Sequence, residues 1–246
     1  QSGDAAVKDI NLDSLRALGT VGEPINPEAW NWYDKNMGKK RCPIRDTWWQ
    51  TETGGMMLVD LSDREKLKPG CAAKPMYGIV PALKSSDGNV LEGKAKGALV
   101  IQSPWPGMLQ DVFNDHGRFI KAYLSDYPGS YFSGDGCERD DDGDIWITGR
   151  MDDVLNISGH RLGTAEVESA LVGHDVISEA AVIGVPHEVK GENIMAFVCL
   201  MGGVNPGDVD SSDLITWVRE KIGAIATLEH CFIVSDLPKT RSGKIM

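Results

Sequence analysis

The chain has 246 residues, 41% hydrophobic and 25% charged, an ordinary globular composition that excludes disordered, collagen-like and coiled-coil readings. With 25 Lys and Arg against 36 Asp and Glu, the formal charge of −11 disfavours nucleic acid or an anionic lipid surface as a partner, while a local basic site for a small anion stays open. No apolar run reaches the ~20 residues of a membrane span, and five scattered cysteines, none at C-x-x-C spacing, suggest neither a zinc site nor a redox pair.

Residues 1–60 read as helix and loop followed by a strand–turn segment. The opening QSGDAAVKD has neither a basic nor an apolar region, so it is not expected to be a signal peptide; an odd, scattered set of cysteines fits a reducing compartment, and a cytoplasmic location is expected. Gly22-Glu23-Pro24 is turn-like, and Asn26-Pro27 opens a helix with Pro27 at its first position. Residues 69–150, rich in Gly and Pro with apolar runs at Ile79–Leu83, Ala98–Ile101 and Ile145–Ile147, predict an antiparallel β region. Asp140–Asp144 reads as a solvated hairpin turn before Ile145. Beyond Arg150 the pattern changes. Thr164 is expected to cap a helix whose Val167, Ala170 and Leu171 share a face, and Ser211 or Ser212 to cap a second with Leu214, Ile215, Val218 and Ile222 inward. Ala180–Val185 and Ala196–Met201 read as buried strands. The domain boundary is expected at Met151–Asp152, giving domains 1–151 and 152–246 and an α+β fold.

Generic phosphate motifs fail: there is no G-x-x-x-x-G-K-S/T and no G-x-G-x-x-G. An EF-hand centred on Gly143 would need a bidentate Glu where Gly149 stands. Local reading ends at an enzyme-like α/β protein. Longer strings carry more: Gly22-Glu23-Pro24, DTWWQTETGG at 46–55, YFSGDG at 131–136, TGRMDDVLNISGHRLGTAEVE at 148–168 and PKTRSGKIM at 238–246. In this order they resemble the AMP-forming acyl-CoA synthetases of the adenylate-forming superfamily, from about Leu15 to Met246. The resemblance implies the β-rich tail of the large adenylate-forming domain followed by a small mobile α+β domain. It also implies that a Ser/Thr/Gly-rich phosphate loop and a large N-terminal region precede residue 1, so that this chain is a fragment, inactive by itself.

The resemblance implies an acetate–CoA ligase chemistry: acetate, ATP and CoA give acetyl-CoA, AMP and pyrophosphate through acetyl-AMP. Propionate as the acid, or a non-catalytic nucleotide-binding module, are the alternatives. Gly22, Glu23 and Pro24 would contact adenine, and Asp46, Thr47, Trp48, Trp49, Gln50 and Thr51 would form the strand and loop beneath adenine and the α-phosphate. Glu52 would hold the Mg²⁺ of MgATP, a hard ion suited to carboxylate oxygen. Asp135 would accept the ribose hydroxyls, with Arg150 beside it and Arg161 on phosphate. Val21 and a buried Trp49 would wall a short acyl pocket. Asp152 would be the hinge of domain rotation, Ser158 and Gly159 the lining of the pantetheine tunnel, and Arg219 a contact to CoA. His174 with the carbonyls of Val172 and Ile177 would form a second cation site. Lys244 would reach the α-phosphate during adenylation and be the target of acetylation and deacetylation enzymes.

Overall fold

The computed structural model describes residues 7–157, 160–187, 191–241 and 245–246, with Asn156, His160 and Arg161 given by backbone alone. Ser158, Gly159, Lys244 and the side chain of Arg161 therefore lie outside the described residues. The chain divides into two compact units between Met151 and Asp152. Helices and three sheets make the fold α+β.

In the first unit, β1 (Leu18–Thr20) precedes α1 (Pro27–Trp32), β2 (Ile44–Trp48) and β3 (Leu58–Val59). The segment read as helix and loop thus also holds a parallel β1–β2 pair, Leu18 against Ile44 and Thr20 against Asp46, and β3 joins β2 antiparallel. α1 starts as the sequence predicts. Pro27 opens it, where a missing N–H costs nothing, and the Asn26 side chain accepts from the Glu28 N–H at 2.7 Å.

The predicted antiparallel region is a five-stranded sheet, built from β4 (Pro81–Lys84), β5 (Val90–Leu91), β6 (Ala95–Ile101), β7 (Tyr131–Arg139) and β8 (Ile145–Arg150) in the order β5-β4-β6-β7-β8. Alternation sends Leu83, Leu99 and Ile101 to one face, where they pack with Trp48, Leu58, Trp105 and Tyr131. Ala82, Ala98 and Val100 point to the other, against Tyr127. The helix α2 (His116–Tyr123) was not expected from sequence; Asp115 caps it, its carboxylate accepting the Arg118 N–H at 3.0 Å.

The second unit contains β9 (Val154–Ile157), β10 (His160–Gly163), α3 (Thr164–Val172), β11 (Ile177–His187), β12 (Gly191–Leu200), α4 (Ser211–Ile222) and β13 (Leu228–Ile233). β12 pairs antiparallel with β11 and parallel with β13, and its first residue, Gly191, pairs with Ile157 of β9. Val167 and Leu171 of α3 and Leu214 and Val218 of α4 are fully buried against Ile194, Ala196 and Val198 of β12. The Trp217 indole N–H donates to the Ala170 carbonyl at 2.7 Å and ties α4 to α3.

Both expected caps are displaced by one position or two. Thr164 is the first residue inside α3, and Gly163 occupies the cap with no side-chain bond. Asp210, not Ser211 or Ser212, caps α4, accepting the Ser212 N–H at 2.9 Å. Asp, Ser and Ser stand in a row there, all good caps, and the carboxylate takes the role. Cys42, Cys71, Cys137, Cys199 and Cys231 are all buried and unpaired.

Candidate functional site

An open cleft of about 410 Å³, part of it continuous with solvent, lies in the first unit. Gly22, Glu23 and Pro24 form one side, and Asp46, Thr47, Trp48 and Trp49 of β2 and its exit form another, joined by Gly70, Ala72 and Ile147. The parallel β1–β2 pair brings them together, because the turn at Gly22 leaves β1 beside the C-terminal end of β2. Thr47 reinforces this, its hydroxyl donating to the Thr20 carbonyl at 2.8 Å. Gly22 has φ +100 with nothing near a notional Cβ, so backbone conformation rather than space calls for glycine.

Asp46 is buried and accepts a short hydrogen bond from the Thr20 hydroxyl. Burial pushes its carboxyl up to about 6, against the pull of the hydrogen bonds it accepts, Thr20's among them. Period-two alternation along β2 buries Ile44, Asp46 and Trp48 and turns Arg45 and Thr47 the other way. Trp49, just beyond the strand, is 45% exposed, and Val21 is 61% exposed. The expected buried indole is therefore Trp48, while Trp49 and Val21 face open space in this chain.

Trp48 links the cleft to Asp135. Its indole N–H donates to Asp135 Oδ2 at 2.9 Å, and the Gln50 amide donates to the same oxygen at 2.9 Å and to the Ser133 carbonyl at 2.7 Å. Arg150 lies 3.4 Å from Asp135 Oδ1 and donates to the Ser133 carbonyl at 3.1 Å. A Cβ on Gly134, whose φ is +75, would fall 2.5 Å from the Arg150 guanidinium, so glycine is what lets that group lie on the backbone. The carboxylate is thus buried, charge-compensated on one side and fixed in orientation.

Residues 50–53 form a tight turn held by aromatic residues that the sequence reading did not single out. Tyr131 donates to Gln50 Oε1 at 2.8 Å, and Tyr123 donates to Glu52 Oε1 at 2.8 Å. The two rings stack at 5.5 Å and 8°, Trp105 packs edge-on against Tyr131, and the Trp105 indole N–H donates to the Thr53 carbonyl at 2.8 Å. Burial, and then Glu52, raise both tyrosine pKa values, so both hydroxyls remain donors. Thr51 is exposed at the start of the turn. The only sequence hints were Tyr131 at the head of YFSGDG and the Phe119/Tyr123 spacing of one helical face.

The acidic turn differs from its expected solvated form. Lys68 inserts among Asp140, Asp142 and Asp144 at 2.6, 2.7 and 2.7 Å, and Lys74 also binds Asp144. Burial alone would raise the Asp140 and Asp144 carboxyls; the Lys68 ammonium holds both below their ordinary range. This clamp fixes the irregular 68–74 segment, whose Gly70 and Ala72 line the cleft.

In the second unit, Asp152 is exposed at the unit boundary, and Arg219 is exposed in the last turn of α4. The His174 ring accepts from the Val176 N–H at 3.4 Å and packs edge-on to Trp217 at 5.0 Å. Val172 ends α3 and Ile177 begins β11, with the Ile177 N–H bonded to the His174 carbonyl at 3.0 Å. These contacts order the α3–β11 connection.

Residues 1–109 match the AMP-binding enzyme family, and residues 166–244 match the AMP-binding enzyme C-terminal domain. An acetyl-coenzyme A synthetase of Magnetococcus marinus is 58% identical over 244 residues, covering 99% of this chain and 38% of the relative. Those of Bradyrhizobium diazoefficiens and Beijerinckia indica are each 57% identical, covering 100% of this chain and 38% of their own length. The chain thus spans about 38% of the length of the curated relatives it matches.

Proposed function

Because the chain belongs to the AMP-binding enzymes and its relatives are named acetyl-coenzyme A synthetases, we propose that it is the C-terminal part of an AMP-forming acetate–CoA ligase. The observation that carries this is the meeting of Gly22–Pro24 with Asp46–Trp49 in one cleft, joined through Trp48 to a buried, oriented Asp135. A flat base enters between the Gly22 turn and the Trp49 edge, and the ribose hydroxyls donate to Asp135, whose Oδ1 lies 3.4 Å from Arg150. Thr51 and the turn it opens face the phosphates.

The donor chemistry at Glu52 suits a divalent cation: a carboxylate with one oxygen bonded to Tyr123 and the other without a hydrogen-bond partner among the described residues. Bound there, Mg²⁺ would neutralise phosphate charge. Acetate attacks the α-phosphate and releases pyrophosphate; the CoA thiol then attacks the acyl carbonyl of acetyl-AMP and releases AMP. Lys244 stabilises charge building on the α-phosphate in the first step, and Ser158, Gly159 and Arg219 serve CoA in the second, with Asp152 as the hinge between them. A cytoplasmic location and reversible acetylation of Lys244 belong to the same proposal.

The test separates the half-reactions in the full-length protein. Lys244→Ala is expected to lower acetate-dependent pyrophosphate exchange by about 10²–10³-fold while sparing thioester formation from supplied acetyl-AMP and CoA. Gly159→Leu is expected to do the reverse. Equal slowing of both steps by both variants would sink the assignment.

A further inference from the structure

The turn carrying Glu52 is anchored in two independent ways. Its backbone is tied by the Leu109 N–H donating to the Glu52 carbonyl at 2.8 Å and by the Trp105 indole donating to the Thr53 carbonyl at 2.8 Å. The Glu52 carboxylate is tied separately, by the Tyr123 hydroxyl on Oε1. Tyr123 itself has little freedom. It stacks on Tyr131 at 5.5 Å, and Phe119, one turn earlier on α2, packs on it at 6.1 Å. Tyr131 is pinned in turn by Trp105 and by its bond to Gln50. A rigid aromatic pair therefore places two hydroxyls on the 50–53 turn, one on Gln50 and one on Glu52.

We propose that Tyr123 is a positioning residue that makes Glu52 a one-oxygen ligand and thereby favours Mg²⁺ over Ca²⁺ at the nucleotide site. The inference rests on the reading of Glu52 as the cation's ligand. A carboxylate whose Oε1 accepts a hydrogen bond offers chiefly Oε2, and its plane is fixed. Mg²⁺ demands close octahedral geometry and takes carboxylates through one oxygen; Ca²⁺ accepts more ligands and both oxygens of a carboxylate. Partners that orient a metal's ligand commonly matter 10–100-fold to affinity. Removing only the hydroxyl leaves the backbone anchors and the ring stack in place, and frees the carboxylate to rotate and bind through two oxygens.

The experiment measures binding of a non-hydrolysable α,β-methylene ATP analogue to the full-length protein by titration calorimetry, with Mg²⁺, with Ca²⁺ and with EDTA. Tyr123→Phe is expected to weaken Mg²⁺-supported binding by roughly 10-fold, to leave EDTA binding unchanged, and to weaken Ca²⁺-supported binding less, so that the Mg²⁺/Ca²⁺ preference falls. Equal losses under all three conditions, or an unchanged preference, would overturn the positioning role. Glu52→Gln keeps the two readings apart. Loss of the metal dependence in that variant supports Glu52 as ligand. A metal dependence that survives it removes Glu52 from the site, and the Tyr123 proposal with it.

Discussion

Replacing Lys68 with Met would test whether an ammonium group holds the cleft wall in place. Methionine keeps an apolar stem beside Trp146, whose ring centre lies 5.6 Å from the Lys68 ammonium, and deletes the charge. Three carboxylates then lose a partner at 2.6–2.7 Å, but unequally. The Asp142 side chain is 76% exposed, so its pair contributes at most about 1 kcal/mol. Asp144 is 7% exposed, where breaking a pair costs about 3–5 kcal/mol, yet Lys74 remains on it. Together these give about 2 kcal/mol, or a fall of about 4–8 °C in the unfolding midpoint for a chain of this size. Since Asp140 and Asp144 have folded-state pKa values lowered from 3.8, the lysine's contribution is complete above that value and fades as pH falls through the lowered ones. The gap between variant and parent should therefore close in acid. The carboxylate oxygens lie within 4.8 Å of one another, so millimolar Ca²⁺ should restore part of the midpoint in the variant and do nothing to the parent. Thermal unfolding with and without Ca²⁺ reads all of this. A midpoint change under about 1 °C, or an equal Ca²⁺ response in both proteins, would refute the clamp.

Two further perturbations follow from β2. With the Asp46 carboxyl raised from 3.8 to about 6, its ionisation is harder in the folded chain, so its burden appears as pH rises through 6 and is absent below 3.8. Asp46→Asn should raise the unfolding midpoint at about pH 8 and leave it unchanged near pH 3.5; a gain at both would assign the effect to packing. Trp49→Gly in the full-length protein should raise the ratio of butyrate to acetate turnover, since each added CH₂ gains up to ~0.8 kcal/mol where space exists. An unchanged ratio would place the acyl wall elsewhere.

Local signals carried part of this structure. Asn26-Pro27, the Asp140–Asp144 turn and the apolar runs of β6 and β8 announce themselves because caps, tight turns and alternation are written in neighbouring residues. The alternation of β2 also separates Trp48 from Trp49, a distinction that the pair alone does not make. β1 and β3, three and two residues long, carry no period and are defined by pairing with distant residues rather than by local sequence. Lys68 lies 72 residues from Asp140, and Tyr123 lies 71 from Glu52; nothing near either residue reveals its partner. The segments lining the candidate site were legible because long strings resemble a family, whereas the groups that orient them are single side chains from distant elements.

The burial of every cysteine has a chemical consequence for an enzyme of the proposed kind. An acyl adenylate is an acylating reagent, and a nearby thiolate would intercept it before CoA. Burial pushes the thiols of Cys71 and Cys137 up to about 12 and that of Cys231 to about 11, and raises that of Cys199 as well. At neutral pH these sulfurs stay protonated and packed among side chains, so they are poor nucleophiles. In an enzyme of that kind, CoA would be the better thiol acceptor than these four side chains.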